Sequence, residues 1–405
     1  MRTASLLKSR DGFSLTELVI VMGIFVIILA LAGVSFDRII SRSLHESKSA
    51  ESEIEGIVGL EMLRRDLAQA GYGLPWDVTG VTYAEIILAT GNPAPGVDSK
   101  VYNDAPGSPP RAVTSGDNAG FNGSDYLVVK STMTGLNDTA KKWYMATFTK
   151  YTSNSMVAKE RLIVLRNSYA NGILSNKVLL NSSGFTVSYS PNPADFPSGF
   201  RPREMLETHM VYGVSPKDGE EDTRPLRMPF NRSDYYIKRP EDTKSMPEMC
   251  AKPLDASNIA EGVGILYRSI AGQKPASADP SEPDPGGGFS APYPLLDCVA
   301  DMQVVHSLDT DGDGVVNLHS DTPPTGADRA AAIRAQVREV RVYILAQEGR
   351  KSNTFRYPDD RIWVGETING VPFGRSFVFE NQNIRDWEKY HWRVYTLVVP
   401  LGNLN

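Results

Sequence analysis

The feature that most constrains this chain is an apolar stretch near its N-terminus, at residues 13–36. It reads FSLTELVIVMGIFVIILALAGVSF and contains a single charged residue, Glu17. A helix over this stretch would be about 36 Å long at about 1.5 Å per residue, whereas a bilayer core is about 30 Å thick. A basic leader with Arg2, Lys8 and Arg10 precedes it. The pattern therefore predicts a membrane-spanning helix behind a short leader.

Three kinds of targeting segment combine a basic leader with an apolar run. A secretory signal peptide is supported by the small-residue triplet at residues 30–32, Ala-Leu-Ala, which suits signal peptidase. A plain signal anchor would hold its basic end in the cytoplasm. A class III signal is cut before the apolar run, which is kept. Only the third kind accounts for Glu17, because a carboxylate in an apolar span is costly unless it is paired.

The sequence GFSLTELV at residues 12–19 resembles the type IV prepilin motif. The resemblance implies that a prepilin peptidase cuts after Gly12 and methylates the new terminal amino group on Phe13. It also implies that Glu17, the fifth residue of the mature chain, pairs with the N-terminus of a neighbouring subunit. Such a pair would offset the desolvation of both charges and fix the axial register of the subunits. On this basis residues 1–12 are the leader and residues 13–36 the transmembrane and filament-core helix.

Apolar residues continue a helical pattern beyond this span. They recur at three- and four-residue spacing, at Ile57, Leu60, Leu63, Leu67 and Ala70. This spacing is typical of a helix with one buried face, and the glycines and proline of GYGLP at residues 71–75 would end it. We therefore expect residues 37–73 to form an amphipathic helix that packs on a head formed by residues 74–405. The expected fold class is α+β, a long N-terminal helix on a large antiparallel β-rich, pilin-like head.

Short runs of β-branched and aromatic residues predict the strands of the head. The predicted strands lie at residues 85–89, 126–130, 143–149, 162–166, 178–189, 263–267, 302–305, 337–345 and 394–399. In one of them Val340, Val342 and Ile344 share a face, which predicts a sheet buried on one side against the N-terminal helix. Glycine, proline and charged residues predict irregular inserts at 91–123, 215–258 and 274–294.

The segment DTDGDGVVN at residues 309–317 reproduces the first nine places of an EF-type calcium loop. It has carboxylates at places 1, 3 and 5, glycine at 6, a backbone carbonyl at 7 and a side-chain oxygen at 9. Place 12 is Ser320 in place of the bidentate Glu, and an aspartate follows one residue later. The predicted calcium ligands are Asp309, Asp311, Asp313, Val315, Asn317 and Asp321. The site would be a structural clip, and the alternative is a solvated turn without an ion.

Two further observations concern stability and chemistry. The two cysteines, Cys250 and Cys298, could form one disulfide in an oxidising compartment. Closing that loop would contribute roughly 3–4 kcal/mol. No catalytic motif is present, the five histidines share no ligand spacing, and the net charge of −6 without a basic stripe argues against nucleic-acid binding. We therefore expect a non-enzymatic protein.

The helix exit RRDLAQAGYG at residues 64–73 and the strand patterns of residues 298–403 resemble PilW-type minor pilins. The resemblance implies a subunit that helps to prime assembly of a type IV pilus and lies at its tip. The implied partners are other major and minor pilins, the inner-membrane assembly platform, the prepilin peptidase and, before assembly, membrane lipid. The expected location is a single pass through the inner membrane with a periplasmic head, then the pilus on the bacterial surface. The alternatives are a minor pseudopilin of a type II secretion system and a membrane-tethered adhesin or binding protein.

Overall fold

The computed structural model describes residues 15, 19, 20, 22–25, 56–87, 94, 96–216, 225–242, 245–255, 261–273 and 288–404. The chain divides into two units, Met1–Ser52 and Glu53–Asn405. In the first unit every described residue between Leu15 and Phe25 is helical. Gly12, Phe13 and Glu17, and most of the predicted membrane span, lie outside the described residues.

The second unit consists mainly of strands. A helix, α1, covers residues 56–68, and a second, α2, covers Arg329–Gln336. The fifteen strands among the described residues are β1 Val113–Gly116, β2 Tyr126–Ser131, β3 Trp143–Thr147, β4 Arg161–Ala170, β5 Ile173–Leu179, β6 Val187–Ser188, β7 Thr208–Ser215, β8 Asn231–Lys238, β9 Gly264–Ile270, β10 Tyr293–Leu308, β11 Leu318–Ser320, β12 Val337–Glu348, β13 Arg361–Ile368, β14 Val371–Val378 and β15 His391–Pro400.

These strands form three sheets, and every pairing between them is antiparallel. The largest sheet has the order β1-β2-β8-β9-β10-β12-β15, with β11 paired to β10. The second has the order β3-β7-β4-β5, with β6 paired to β4, and β13 and β14 form a separate hairpin. The long β10 is the centre of the large sheet, because its first half pairs with β9 and its second half with β12.

Helix α1 packs on one face of the large sheet. Its Leu63 and Leu67 belong to the same hydrophobic core as Val342 and Ile344 of β12. Helix and sheet approach so closely that a Cβ on Gly59 would lie 1.8 Å from the carbonyl oxygen of Leu295 in β10. The face of β12 that carries Val342 and Ile344 is therefore buried against α1.

The opposite face of the large sheet is covered by the β13–β14 hairpin and by aromatic residues. Tyr343 and Leu345 of β12 share a second core with Val364, Phe377 and Phe379. Both faces of β12 are thus buried, whereas the alternating pattern of that strand predicted one.

The expected α+β fold, with one long N-terminal helix on the head, is wrong. The described residues are mostly antiparallel β, and within Glu53–Asn405 the described α-helices, α1 and α2, are short. The physical reason for the end of α1 lies in two glycines. Gly71 and Gly73 adopt φ values of +84° and +69°, and this left-handed conformation ends a helix. A side chain at Gly73 would also collide with Thr132, which lies 2.5 Å from an ideal Cβ.

The expected single pass through an inner membrane is contradicted as well. Within the part of the chain that the structure describes, no helix is long and apolar enough to cross a bilayer.

Several strand predictions are confirmed. The runs at 126–130, 143–149, 162–166 and 337–345 correspond to β2, β3, β4 and β12. The run at 178–189 is instead divided between the end of β5 and the short β6. Runs of apolar β-branched residues therefore predicted the positions of these strands correctly. The predicted ends of a strand were wrong where a turn interrupts the run.

The predicted inserts contain regular structure. Strand β8 falls within residues 215–258, where it is a central strand between β2 and β9. Strand β1 falls within residues 91–123. Of the third insert, residues 274–287 lie outside the described residues, and β10 begins at Tyr293. The expectation of an irregular segment is therefore wrong for β8, whose polar residues are buried.

Candidate functional site

The candidate calcium loop connects β10 to β11. Asp309 directly follows the last residue of β10, and Asn317 directly precedes β11. The N–H of Asp309 donates to the carbonyl of Gln336 (2.7 Å), and the N–H of Asn317 donates to the carbonyl of Leu308 (2.9 Å). Both ends of the loop are therefore held by backbone hydrogen bonds to the large sheet and its neighbour α2.

The loop gathers three carboxylates, which we call the aspartate triad. Ligand oxygens of Asp309, Asp311 and Asp313 all lie within 4.8 Å of one another, the first buried and the other two exposed. The N–H groups of Gly312 and Gly314 donate to Asp309 at 2.7 and 2.9 Å. These glycines have φ values of +80° and +90°, which residues with a side chain rarely adopt. The alternating Asp and Gly residues thus turn the chain so that the carboxylates converge.

One member of the aspartate triad is shared with a cation from β12. Arg338 places Nε and Nη2 at 3.0 and 2.7 Å from Oδ2 of Asp309. Burial by itself would raise the pKa of Asp309, but the hydrogen bonds from Arg338, Gly312 and Gly314 lower that pKa to about 2. Asp309 is therefore ionised at neutral pH. A divalent cation at the triad would face three carboxylates, one of them already neutralised in part by Arg338.

The other predicted calcium ligands have different positions. Asn317 Oδ1 accepts from the N–H and Oγ1 of Thr310, at 3.0 and 3.2 Å. Val315 donates its N–H to Asp313. Asp321 accepts the N–H of Gly374 in β14 at 3.1 Å. Among the described residues, the carboxylates close enough together to hold a metal ion are those of the aspartate triad, without Asp321. The chain leaves the loop as β11, and this strand carries Asp321 to the β13–β14 hairpin.

The two cysteines are joined in the second core. Cys250 and Cys298 form a disulfide whose Cα atoms are 5.1 Å apart, and both residues are buried. Gln347 fixes the segment beside it, because its Oε1 accepts from Ala251 N–H and its Nε2 donates to the carbonyl of Met249, both at 2.7 Å. The disulfide and the glutamine together attach residues 245–255 to β10 and β12.

A buried ionic network, which the sequence did not indicate, lies between β2, β8 and the segment before β1. It comprises three acids and three bases: Glu85, Asp104, Asp234, Lys130, Arg111 and Arg232. Lys130 Nζ is 2.7 Å from Glu85 and 2.6 Å from Asp104, and Arg232 Nη2 is 2.7 Å from Asp234. Because the charges balance and each base is bonded to a carboxylate, the network acts as a structural clamp.

A second buried ion group fastens α1 to the large sheet. Asp66 accepts the hydroxyl of Tyr235 at 2.5 Å and Nε of Arg268 at 2.8 Å. Burial raises the pKa of Asp66, although Arg268 and Tyr235 both act to lower it. Asp66 lies on the buried face of α1, three residues after Leu63 and next to Leu67.

One serine–histidine contact resembles part of a hydrolytic site. Ser115 Oγ lies 2.9 Å from Nε2 of His306. Burial lowers the pKa of His306 to about 4, so the ring is neutral at pH 7. His306 is fully buried and Ser115 nearly so, and Nδ1 of the histidine has no hydrogen-bond partner among the described residues. The pair therefore lacks both access and an orienting acid.

A further aspartate is perturbed by burial. Asp125 accepts the N–H groups of Asn118 (2.8 Å) and Val304 (2.7 Å) and is 1% exposed. Burial raises its pKa to about 8, and the charges of Asp117 and Asp301 add to this rise. Its carboxyl group accepts a backbone N–H of β10 at a point along that strand between the residues paired with β9 and those paired with β11. We therefore assign Asp125 a structural role in the large sheet.

Comparison of the chain with protein-family models, with curated proteins and with solved structures gives no match. Functional inference therefore rests on the residues of the chain itself.

Proposed function

We propose that this protein is a minor pilin, a non-enzymatic subunit that helps to prime assembly of a type IV pilus. The observation that carries the proposal is the sequence GFSLTELV at residues 12–19, in which a Gly-Phe junction precedes an acid at the fifth position and a long apolar run. The helical conformation of the described residues between Leu15 and Phe25 is compatible with this role.

The proposed mechanism of assembly is an ion pair between subunits. Cleavage after Gly12 would create an ammonium group on Phe13. Glu17 of a neighbouring subunit would then pair with that group in the apolar core of the filament. An unpaired carboxylate there would be strongly unfavourable, so only an arrangement that brings the two charges together is stable. The pair would therefore select one axial register.

The second unit, Glu53–Asn405, supports a structural role. The largest clusters of buried charged residues in this unit consist of ion pairs, as in the six-residue network and the Asp66–Arg268 pair. Such groups hold segments together and offer no free acid or base for catalysis. A disulfide between Cys250 and Cys298 suits a protein that works in an oxidising environment.

We also propose that the aspartate triad binds calcium as a structural clip. Three converging carboxylate oxygens and glycines at the required turns support this assignment. Because Arg338 shares Asp309 and the place of the bidentate Glu holds Ser320, affinity should be weaker than that of a complete EF-type loop. The ion would hold the ends of β10 and β11 that flank the loop together.

The decisive experiment for the pilin proposal is the mass and N-terminal sequence of the mature protein, after co-expression with a prepilin peptidase. We expect a chain that begins with N-methylated Phe13, and no cleavage in a Gly12→Val variant. A Glu17→Gln variant should be cleaved normally but should not restore pili to a deletion strain. Glu61→Gln, at an exposed position of α1, is the matched control and should restore them.

Two results would contradict the proposal. A mature chain that begins after Ala32 would identify a secretory signal peptide and remove the apolar run from the mature protein. Loss of exoprotein release on gene deletion, with normal pilus number, would assign the subunit to a type II secretion system. Counting pili by electron microscopy and assaying secreted proteins in the same deletion strain distinguishes the two systems.

A further inference from the structure

A cavity with a volume of about 580 Å³ opens beside the start of β13, away from the aspartate triad. It is formed by the segment that precedes β13 and by the turns between β14 and β15. Its walls include Arg356, Tyr357, Asp360, Glu380, Trp387 and Glu388. The walls therefore combine aromatic rings with several charges.

The aromatic part of the wall is packed against the second core. Trp387 lies parallel to Phe379, with ring centroids 4.9 Å apart and an angle of 5° between the planes. Phe379 is fully buried and also contacts the edge of Tyr357, at 5.6 Å between centroids. Trp392 donates its indole N–H to the carbonyl of Trp387 at 3.0 Å. Phe379 thus covers one face of the Trp387 indole, and Trp387 is half-buried in the wall of the cavity.

The charged part of the wall contains three carboxylates and one guanidinium, and two of the carboxylates are paired. The pair of Arg356 with Glu388 is loose, at 4.0 Å. Asp360 is bonded to Arg361 at 2.9 and 3.0 Å. Glu380 is exposed, and no ion pair to it is formed among the residues that the structure describes. The cavity thus places an exposed carboxylate, Glu380, in the same wall as an indole ring.

We propose that this cavity binds an organic cation, an ammonium or guanidinium group carried on an alkyl chain. A cation within about 6 Å of an indole face is attracted by the ring, and tryptophan is the best aromatic partner for this interaction. The alkyl chain would pack on Trp387 and Tyr357, and Glu380 would pair with the charge. An anion at this position would be repelled by Glu380. The proposal does not depend on the assignment as a pilin, because it uses only residues 356–388.

The test is calorimetric titration of the full chain with Nα-acetyl-lysine amide, and with Nα-acetyl-norleucine amide as the uncharged equivalent. We expect the lysine amide to bind, the norleucine amide not to bind, and 0.5 M salt to weaken binding. Glu380→Gln and Trp387→Leu should each raise the Kd about two- to fivefold. Glu204→Gln, at an exposed carboxylate elsewhere on the unit, should leave the Kd unchanged. Glu380 is exposed, so its variant remains informative even if Trp387→Leu does not fold.

The source of the cation is distinguished by a second titration, with tetralysine. Binding that exceeds the fourfold statistical gain over the single amide would indicate a lysine-rich protein segment, whereas equal binding per lysine would indicate a small amine. Either result supports a cation site. Equal affinity for the norleucine amide, binding of N-acetylglucosamine that depends on Trp387 while the lysine amide does not bind, or a Kd unchanged by both variants would overturn the proposal.

Discussion

The attachment of α1 to the large sheet by a buried ion group gives the sharpest prediction about stability. Asp66 is 7% exposed and Arg268 is 2% exposed, so both charges are removed from water. Arg268 Nη2 lies 2.5 Å from Asp66 and also 2.5 Å from the carbonyl of Thr134. An Asp66→Ala substitution would remove the carboxylate but leave the guanidinium buried without an opposite charge.

The expected cost follows from this asymmetry. Removing one partner of a buried pair destabilises a protein by about 3–5 kcal/mol, whereas replacing the whole group by apolar residues of similar volume is often neutral. Asp66→Ala should therefore lower the free energy of unfolding by about 3–5 kcal/mol. The triple variant Asp66→Leu, Tyr235→Phe and Arg268→Met should recover most of that loss. In contrast, Arg268→Met alone should cost less than Asp66→Ala, because burial raises the pKa of Asp66 and the group can take up a proton.

The assay is equilibrium unfolding in urea, followed by tryptophan fluorescence, on the full chain and its variants. Hydrogen exchange of α1 gives a local measurement, since α1 should lose protection first in Asp66→Ala. Glu61→Ala removes a carboxylate from the same helix at a solvent-exposed site, so its unfolding midpoint should remain at the wild-type value. If Asp66→Ala cost less than about 1 kcal/mol, or if the triple variant were as unstable as the single one, the buried charge would not be the cause.

Four other measurements test separate parts of the structure. Calcium should raise the Tm and EGTA should reverse the rise, with no response in Asp311→Asn; a Tm indifferent to both would remove the site. Asp125 has a pKa of about 8 in the folded state against an ordinary 3.8, so stability should fall as pH rises between these values, and Asp125→Asn should remove that slope. Gly59→Ala should cost at least about 1–3 kcal/mol, because its Cβ meets the backbone of Leu295; an unchanged Tm would refute the close approach. Cys298→Ser should cost roughly 3–4 kcal/mol in urea unfolding, and equal midpoints would show that the disulfide contributes nothing.

The sequence predicted strands best where the buried residues of the strand are apolar. Strands β2 and β12 contain runs of valine, leucine and isoleucine, which are recognisable without knowledge of their neighbours. Strand β8 begins with Asn231, Arg232, Ser233 and Asp234, and polar residues of this kind are typical of a loop. Arg232 is nevertheless fully buried, because Asp234 of the same strand and Glu85, 147 residues away in the chain, both accept hydrogen bonds from it. A partner as distant as Glu85 cannot be found from local pattern, so the polar start of β8 predicts an irregular insert.

The aspartate triad shows the same division between local and distant information. Its convergence is set by residues within the loop, since alternating Asp and Gly residues determine the turn. Arg338 comes from β12 and Gly374 from β14, and neither could be assigned to this site from spacing. Asp321 was predicted as a ligand because it follows the loop closely in sequence. Because the strand β11 follows the loop, where an EF-hand has a helix, Asp321 lies beside the β13–β14 hairpin and away from the triad.

The contacts of α1 have a mechanical consequence for the second unit. The close approach at Gly59 fixes the distance of the helix from β10, and the pairing of Asp66 with Arg268 fixes its rotation relative to β9. At its C-terminal end Asn403 donates to the carbonyl of Ala68 at 2.8 Å, which restrains sliding along the helix axis. Apolar packing alone tolerates sliding and rotation, because it has no preferred direction. A force along α1 would therefore pass to β9, β10 and the C-terminal segment through these directional contacts, as the proposed role in a filament requires.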